Sequence, residues 1–230
     1  MKTVAIDTSL SSGSVAAVDG ERVAEVRFSP AQAHAKRIAA GLAEATAELG
    51  WSIAEADLVA VIRGPGSFTG LRVGIAAAKG IAWAGGMRLV GVSGFEVIAA
   101  AVGGGAPVHV AFDAGRGELF ATAVRPSSSA PTGWQTDGAV LVPIATWVAQ
   151  LPPGATLAGP GLDLDPVAAL VATRGDLRPV DGPARYPSAA GAARLGQRLA
   201  AAGLTQAAAE IAPDYLRPSY AQENGAGPSR

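Results

Sequence analysis

The stretch "DLVAVIRGPGSFTGLRVGIAAAKGIAWAG", Asp57 to Gly85, constrains the fold more than any other part of the chain. Its apolar opening reads as a buried strand. A glycine–proline loop stops that strand, and a helical period then runs from Thr69 to Ala84. Strand, tight loop and helix in this order are half of an α/β unit.

The loop invites a test as a phosphate cradle, and it fails. A Walker-type loop needs two glycines with four residues between them, followed by Lys and Ser/Thr. Gly64 and Gly66 lead instead into Ser67, Phe68, Thr69, Gly70, Leu71 and Arg72. A dinucleotide fingerprint fails because its third glycine arrives one residue late. "GVSGF" comes nearest to a nucleophile elbow and breaks at Phe95.

The helix is more informative. Gly70, Gly74, Ala77 and Ile81 form one stripe, with Leu71, Ile75, Ala78 and Ala82 beside it. Each interior glycine costs roughly 1 kcal/mol relative to alanine, so two of them one turn apart imply a close backbone approach. The approaching backbone belongs either to another molecule or to the chain's own sheet. A third stripe of Arg72, Ala76, Lys79 and Trp83 carries an indole that a wholly solvated face would not need.

Before this unit, "TVAID", "SVAAVDG" and "ERVAEVRFS" read as three strands, the last two joined at Asp19-Gly20, and a helix spans Ala31 to Leu49. After it come strands at "RLVGVSG", "VHVAFDA" and "GELFATAVR", with a helix over Phe95–Val102. Arg125–Gly138 reads as a turn-rich loop. Further helices are expected at Ile144–Gln150, Pro166–Thr173 and Ser188–Ala202. The fold class is α/β with mixed sheets. Residues 1–104 are expected to form a first lobe, 105–218 a smaller second lobe, and 219–230 a disordered tail.

Composition narrows function. Hydrophobic residues are 49% and charged residues 16%, enough for a real core. A net charge of −1 gives no general basic surface for nucleic acid. There is no cysteine, which excludes disulfides, thiol nucleophiles and thiolate metal sites. No apolar run approaches the roughly 20 residues of a membrane span, and a cytoplasmic protein is expected. Arg63, Arg72, Lys79 and Arg88, with Lys36 and Arg37, read as a solvated rim or as partner salt bridges rather than a tRNA site.

"AIDTSLSSGSVAAV" resembles the phosphate-wrapping hairpin of the actin/hexokinase/Hsp70 superfamily. Asp7 stands where that superfamily's carboxylate orders magnesium, and Thr8 and Ser9 stand where it commonly has glycine. "FDAGRG", with Asp113 and Gly115, and "AGPG" at Ala158–Gly161 resemble its second-lobe turns. The implied site is a vestigial nucleotide cleft of Asp7, Thr8, Ser9, Asp113 and Gly115.

Together, "IDTS", "RGPGSFTGLRVGIAAAKGIA", "GVSGFEVIA" and "DAGRGELFATAV" resemble the TsaB (YeaZ) family, the dimerisation subunit of bacterial tRNA threonylcarbamoyladenosine synthesis. The resemblance covers about Met1 to Arg125 and returns faintly at "PDYLRPSYA". It implies a two-lobed, ribonuclease-H-like fold and a noncatalytic subunit. That subunit would pair with a TsaD-type catalytic subunit, help recruit a TsaE-type ATPase, and meet tRNA only within the complex. The modified base would be the adenosine 3′ of the anticodon in ANN-decoding tRNAs. Pairing would use the helices at Thr69–Ala84 and Ala31–Leu49, through Gly70, Leu71, Arg72, Gly74, Ala77, Ala78, Ile81, His34 and Ile38. Alone, the chain would form a homodimer. No metal or cofactor is expected, since the two histidines, His34 and His109, lie far apart in sequence. The alternative is a self-sufficient metal-dependent, glycoprotease-like or ATP-using enzyme.

Overall fold

The computed structural model describes residues 1–29, 34–214 and 216. Strands β1 (Thr3–Asp7), β2 (Ser14–Asp19), β3 (Arg22–Arg27), β4 (Leu58–Gly64) and β5 (Arg88–Ser93) form one sheet in the order β3-β2-β1-β4-β5. The first three pair antiparallel, and β4 and β5 add in parallel to β1. Helix α1 (His34–Glu48) connects β3 to β4, and α2 (Phe68–Gly85) connects β4 to β5. The expected mixed sheet is therefore present.

Alternation along these strands divides the core. Val4, Ile6, Val15, Ala17, Val59, Val61 and Leu89 pack under α1 and α2. Ala5, Ala16, Val18, Ala60, Ile62, Val90 and Val92 face the opposite way. They share a cluster with α3 (Gly94–Val102), α6 (Ala189–Ala201) and one face of a second sheet. That sheet joins β6 (Val108–Gly115), β7 (Glu118–Pro126), β8 (Trp134–Thr136), β10 (Thr156–Ala158) and β11 (Arg178–Pro179) in the order β11-β10-β6-β7-β8. Strand β9 (Val140–Pro143) also pairs with β7. Its outer face carries α4 (Ile144–Gln150) and α5 (Asp165–Thr173) around Leu119, Ala121, Trp147, Leu157 and Val167.

Two expectations change. The stretch Arg125–Gly138 is not wholly loop: β8 pairs Trp134–Thr136 with Val124–Pro126, and Trp134 is buried. Three residues are too few to show a period. A division at 104/105 separates the two sheets, yet α6, from the later segment, lies on the first sheet. Ala189 N donates to Ser14 Oγ at 2.9 Å. An alanine stripe of Ala189, Ala192, Ala193 and Ala200 is buried there, and a Cβ on Gly196 would lie 2.8 Å from Ala60 Cβ and 3.0 Å from a Val90 methyl. Residues 215 and 217–230, including most of "DYLRPSYA" and the expected tail, lie outside the described residues.

The packing of α6 generates a stability prediction. Gly196→Val should cost about 2 kcal/mol through overpacking against the first sheet, read from chemical denaturation. A wild-type midpoint would show that α6 does not rest on β4 and β5.

Candidate functional site

The candidate site is built where the end of β1 meets the start of α2. Asp7 closes β1, 2% exposed, and its Oδ1 accepts from Ser9 N at 2.9 Å and Ser9 Oγ at 2.6 Å. These bonds fold Thr8 and Ser9 into a tight turn, itself buried. Thr8 Oγ1 donates to Gly70 O at 2.8 Å, and Ser67 N donates to Ser9 O at 2.7 Å. Ser67 also caps α2, its Oγ accepting from Gly70 N at 3.2 Å.

The glycines of the loop and helix are what admit this turn. A Cβ on Gly66 would collide with Ser9 O, one on Gly70 with Thr8 O, and one on Gly74 with Thr8 Oγ1. The stripe is a socket for the chain's own Thr8–Ser9 turn. This corrects the expectation that Gly70 and Gly74 leave room for another molecule. Leu71, Ala78 and Ile38 are likewise buried in the core, and Ala77 and Ile81 are half-buried against it. Of the expected pairing residues, Arg72 is exposed. His34 opens α1, and its side chain lies outside what is described.

The socket also decides the nucleotide question at this end of the cleft. A hairpin that wraps phosphate needs space and free backbone N–H groups between its turn and the facing loop. Here Thr8 and Ser9 fill the space, and the Ser9 and Ser67 N–H groups are bonded internally. The residues do not fit a bound triphosphate. Asp7 is held above the ordinary carboxylate range by burial, with the two Ser9 bonds pulling it back. It serves the turn.

The second-lobe turns give a similar result. Asp113 is exposed, and its Oδ1 accepts from Gly115 N at 2.7 Å, which closes a local turn. Gly159 and Gly161 of "AGPG" sit against the Ala111 backbone, where a Cβ would clash or crowd. Among the described residues, no three His, Cys, Asp or Glu side chains group as metal ligands do. His109 lies half-buried on β6, and burial and Arg125 hold its pKa below the usual value.

What α2 turns outward is its third stripe, with Lys79 only half-exposed and Gly80 and Ala84 beside it. Arg72, Ala76, Gly80 and Ala84 are exposed, and Trp83 is 85% exposed. The Arg72 guanidinium lies over the Phe68 ring, 3.7 Å from its centroid. Alongside, α1 exposes Ala39, Ala40, Ala43 and Ala47 with Lys36, Glu44 and Glu48. The two helices pack next to each other on one face of the first sheet. The result is a low, small-residue surface with one large indole standing on it. The expected cationic rim is divided: Arg63 turns to Asp214, 3.3 Å away, and Arg37 lies toward the Phe28 ring.

Comparison with known proteins adds to this geometry. The family model described as "TsaD: tRNA N6-adenosine threonylcarbamoyltransferase" matches residues 25–129. The tRNA threonylcarbamoyladenosine biosynthesis protein TsaB of Escherichia coli is 35% identical over 124 residues, 52% of this chain and 53% of that protein. The chain thus spans about half the length of the curated TsaB relatives it matches. A tRNA N6-adenosine threonylcarbamoyltransferase of Ruegeria pomeroyi is 43% identical over 63 residues, 27% of this chain and 17% of that one. A Pseudomonas aeruginosa crystal structure, described as similar to peptidase YeaZ, superposes with a TM-score of 0.76. It is 25% identical and covers 94% of this chain and 99% of that one.

Two predictions follow from the socket. Gly74→Ala should destabilise by about 2 kcal/mol, since the methyl group meets a fixed hydroxyl. Gly80→Ala, where nothing lies within 4 Å of the new atom, should stabilise by up to about 1 kcal/mol. Equal effects in urea denaturation would contradict the assignment of inner and outer faces. The second concerns Asp7. Because its folded pKa is raised, its contribution is complete below the unfolded pKa and is lost as pH rises through the folded value. Asp7→Asn, which keeps the acceptor oxygen for Ser9, should therefore gain stability relative to wild type as pH rises from acid to neutral. A difference that stays flat over that range would contradict it.

Proposed function

We propose that the chain, which resembles TsaB of Escherichia coli in sequence and the Pseudomonas aeruginosa YeaZ-like structure in fold, is a TsaB/YeaZ-type noncatalytic partner subunit in tRNA threonylcarbamoyladenosine synthesis. It pairs with a TsaD-type catalytic subunit, helps recruit a TsaE-type ATPase, and works on ANN-decoding tRNAs at the adenosine 3′ of the anticodon. The observation that carries this reading is the outward face of α1 and α2, where Trp83 stands 85% exposed on a surface of alanine and glycine. Helices without bulk approach closely, and a protruding aromatic residue supplies the anchor such contacts use.

The pairing surface is then Arg72, Ala76, Gly80 and Trp83 of α2 with Ala39, Ala40, Ala43 and Ala47 of α1. Arg72, above Phe68, and Glu44 form a charged rim around it. A bundle of these helices with their counterparts would bury an area of ordinary interface size, about 1,600 Å² in total. Alone, the same face closes on a second copy as a two-fold dimer. A net charge of −1 supports tRNA contact through the complex rather than by this subunit. The proposed setting is the cytoplasm; no described helix is long and apolar enough to cross a membrane.

A self-sufficient ATP-using enzyme is the weaker reading because Thr8 and Ser9 occupy the cradle it would need.

Coexpression with the TsaD-type subunit of the same genome tests the surface. Ala76→Arg and Trp83→Glu should each weaken copurification at least about tenfold, with denaturation midpoints unchanged because both sites are exposed. Wild-type copurification by both folded variants would place the pairing surface elsewhere.

A further inference from the structure

At the C-terminal end of β4 the chain walls off a cavity of about 480 Å³. It is open on one side and lies away from the α1–α2 face. Neither Asp7 nor Asp113 lines it. Arg63 enters from β4, Ser93 and Glu96 from the start of α3, Thr136 from β8, and Asp214 from the segment after α6.

The charges in this cavity do not balance. Arg63 and Asp214 pair at 3.3 Å, and Asp214 N donates to Arg63 O at 2.9 Å, so one cation and one anion are committed to each other. Glu96 is the second carboxylate, with Arg63 as its nearby cation. One guanidinium therefore serves two carboxylates. Burial pushes both carboxyls above their ordinary range, and Arg63 draws both back. A buried or half-buried carboxylate without a full counter-charge is costly, and a bound cation is one way to relieve that cost. The Ser93 hydroxyl stands at the N-cap of α3 without a capping bond, which leaves its oxygen available as an acceptor. Phe95, Leu216 and Pro65 supply apolar wall beside these groups.

We propose that this cavity is a binding site for a small organic cation, a primary ammonium carried on a short hydrocarbon chain. The ammonium would sit between the Glu96 carboxylate and the Ser93 hydroxyl, with its alkyl chain along Phe95 and Leu216. A bare divalent ion fits poorly, since Arg63 stands beside the carboxylates and the site has fewer hard oxygen ligands than calcium or magnesium takes. An anion would add to the excess negative charge. The volume suits a ligand larger than an ion.

Asp214 ties the site to the rest of the fold. Its segment crosses the edge strand β5, where Gln206 N donates to Leu89 O at 2.9 Å and Gly91 N donates to Gln206 Oε1 at 3.0 Å. Ile211 of the same segment is buried beneath α2. An occupied site holds this strap down against the sheet.

Isothermal titration with pentylamine, at fixed ionic strength, tests the site, with 1-pentanol and glutarate as neutral and anionic controls. The full chain should bind pentylamine saturably and neither control comparably. Glu96→Gln, which keeps shape and removes charge, should weaken binding at least about tenfold. Asp214→Asn should weaken it also, because Arg63 is then free to neutralise Glu96. Amide exchange over residues 204–214 should slow when the amine is bound. The proposal fails if pentylamine does not saturate, if pentanol or glutarate binds as well, or if folded Glu96→Gln binds like wild type.

Discussion

The Thr8–Ser9 turn, seated against Gly66, Gly70 and Gly74, is the contact on which the rest of the molecule depends. It joins the first strand to the first turns of α2 through Ser67 N to Ser9 O and Thr8 Oγ1 to Gly70 O. Backbone meets backbone at Gly66 and Gly70, and the Thr8 hydroxyl meets Gly74, so the rotation of α2 about its axis has little freedom. Once the inner stripe is fixed, so is the outer one. Arg72, Ala76, Gly80 and Trp83 face away from the sheet because Gly70 and Gly74 must face toward it.

The same contact separates this chain from a nucleotide-binding protein of similar topology. Strand, carboxylate, turn and returning strand are all present, and the carboxylate is buried at the end of β1. The space a phosphate would occupy is filled by two hydroxyl residues, and one of Asp7's two carboxylate oxygens, Oδ1, is taken by Ser9. Gly159 and Gly161 repeat the pattern in the second sheet, where missing side chains admit the Ala111 backbone. In this molecule glycines that look like ligand-binding signals make room for the protein itself.

Much of the fold was legible in the sequence, since long apolar strands and periodic helices announce themselves. The opening antiparallel strands, the parallel β4 and β5, and helices α1 to α6 all occur close to where pattern places them. What escaped was short or distant. Strands β8 to β11 have two to four residues each and show no alternation. The return of α6 to the first sheet is a tertiary fact: its alanine stripe announces close packing but not against what. The glycine stripe of α2 left the same ambiguity, because an absent Cβ says that something approaches and not whose backbone it is. Glu96 was overlooked although it is the one charged residue of α3. Its significance needs Asp214, more than a hundred residues later, and no local spacing relates the two.

The central claim is that α2 uses opposite faces for opposite purposes, the inner for its own sheet and the outer for a partner. Trp83 reports on the outer face with little interference, since Trp51, Trp134 and Trp147 are each less than a tenth exposed. With 5-fluorotryptophan incorporated in this chain alone, fluorine NMR follows the four indoles as unlabelled TsaD-type subunit is added. The account predicts that the Trp83 resonance, solvent-exposed at the start, shifts and broadens on pairing while the three buried indoles hold their positions. A verified complex in which Trp83 keeps its free, solvent-exposed resonance would contradict it.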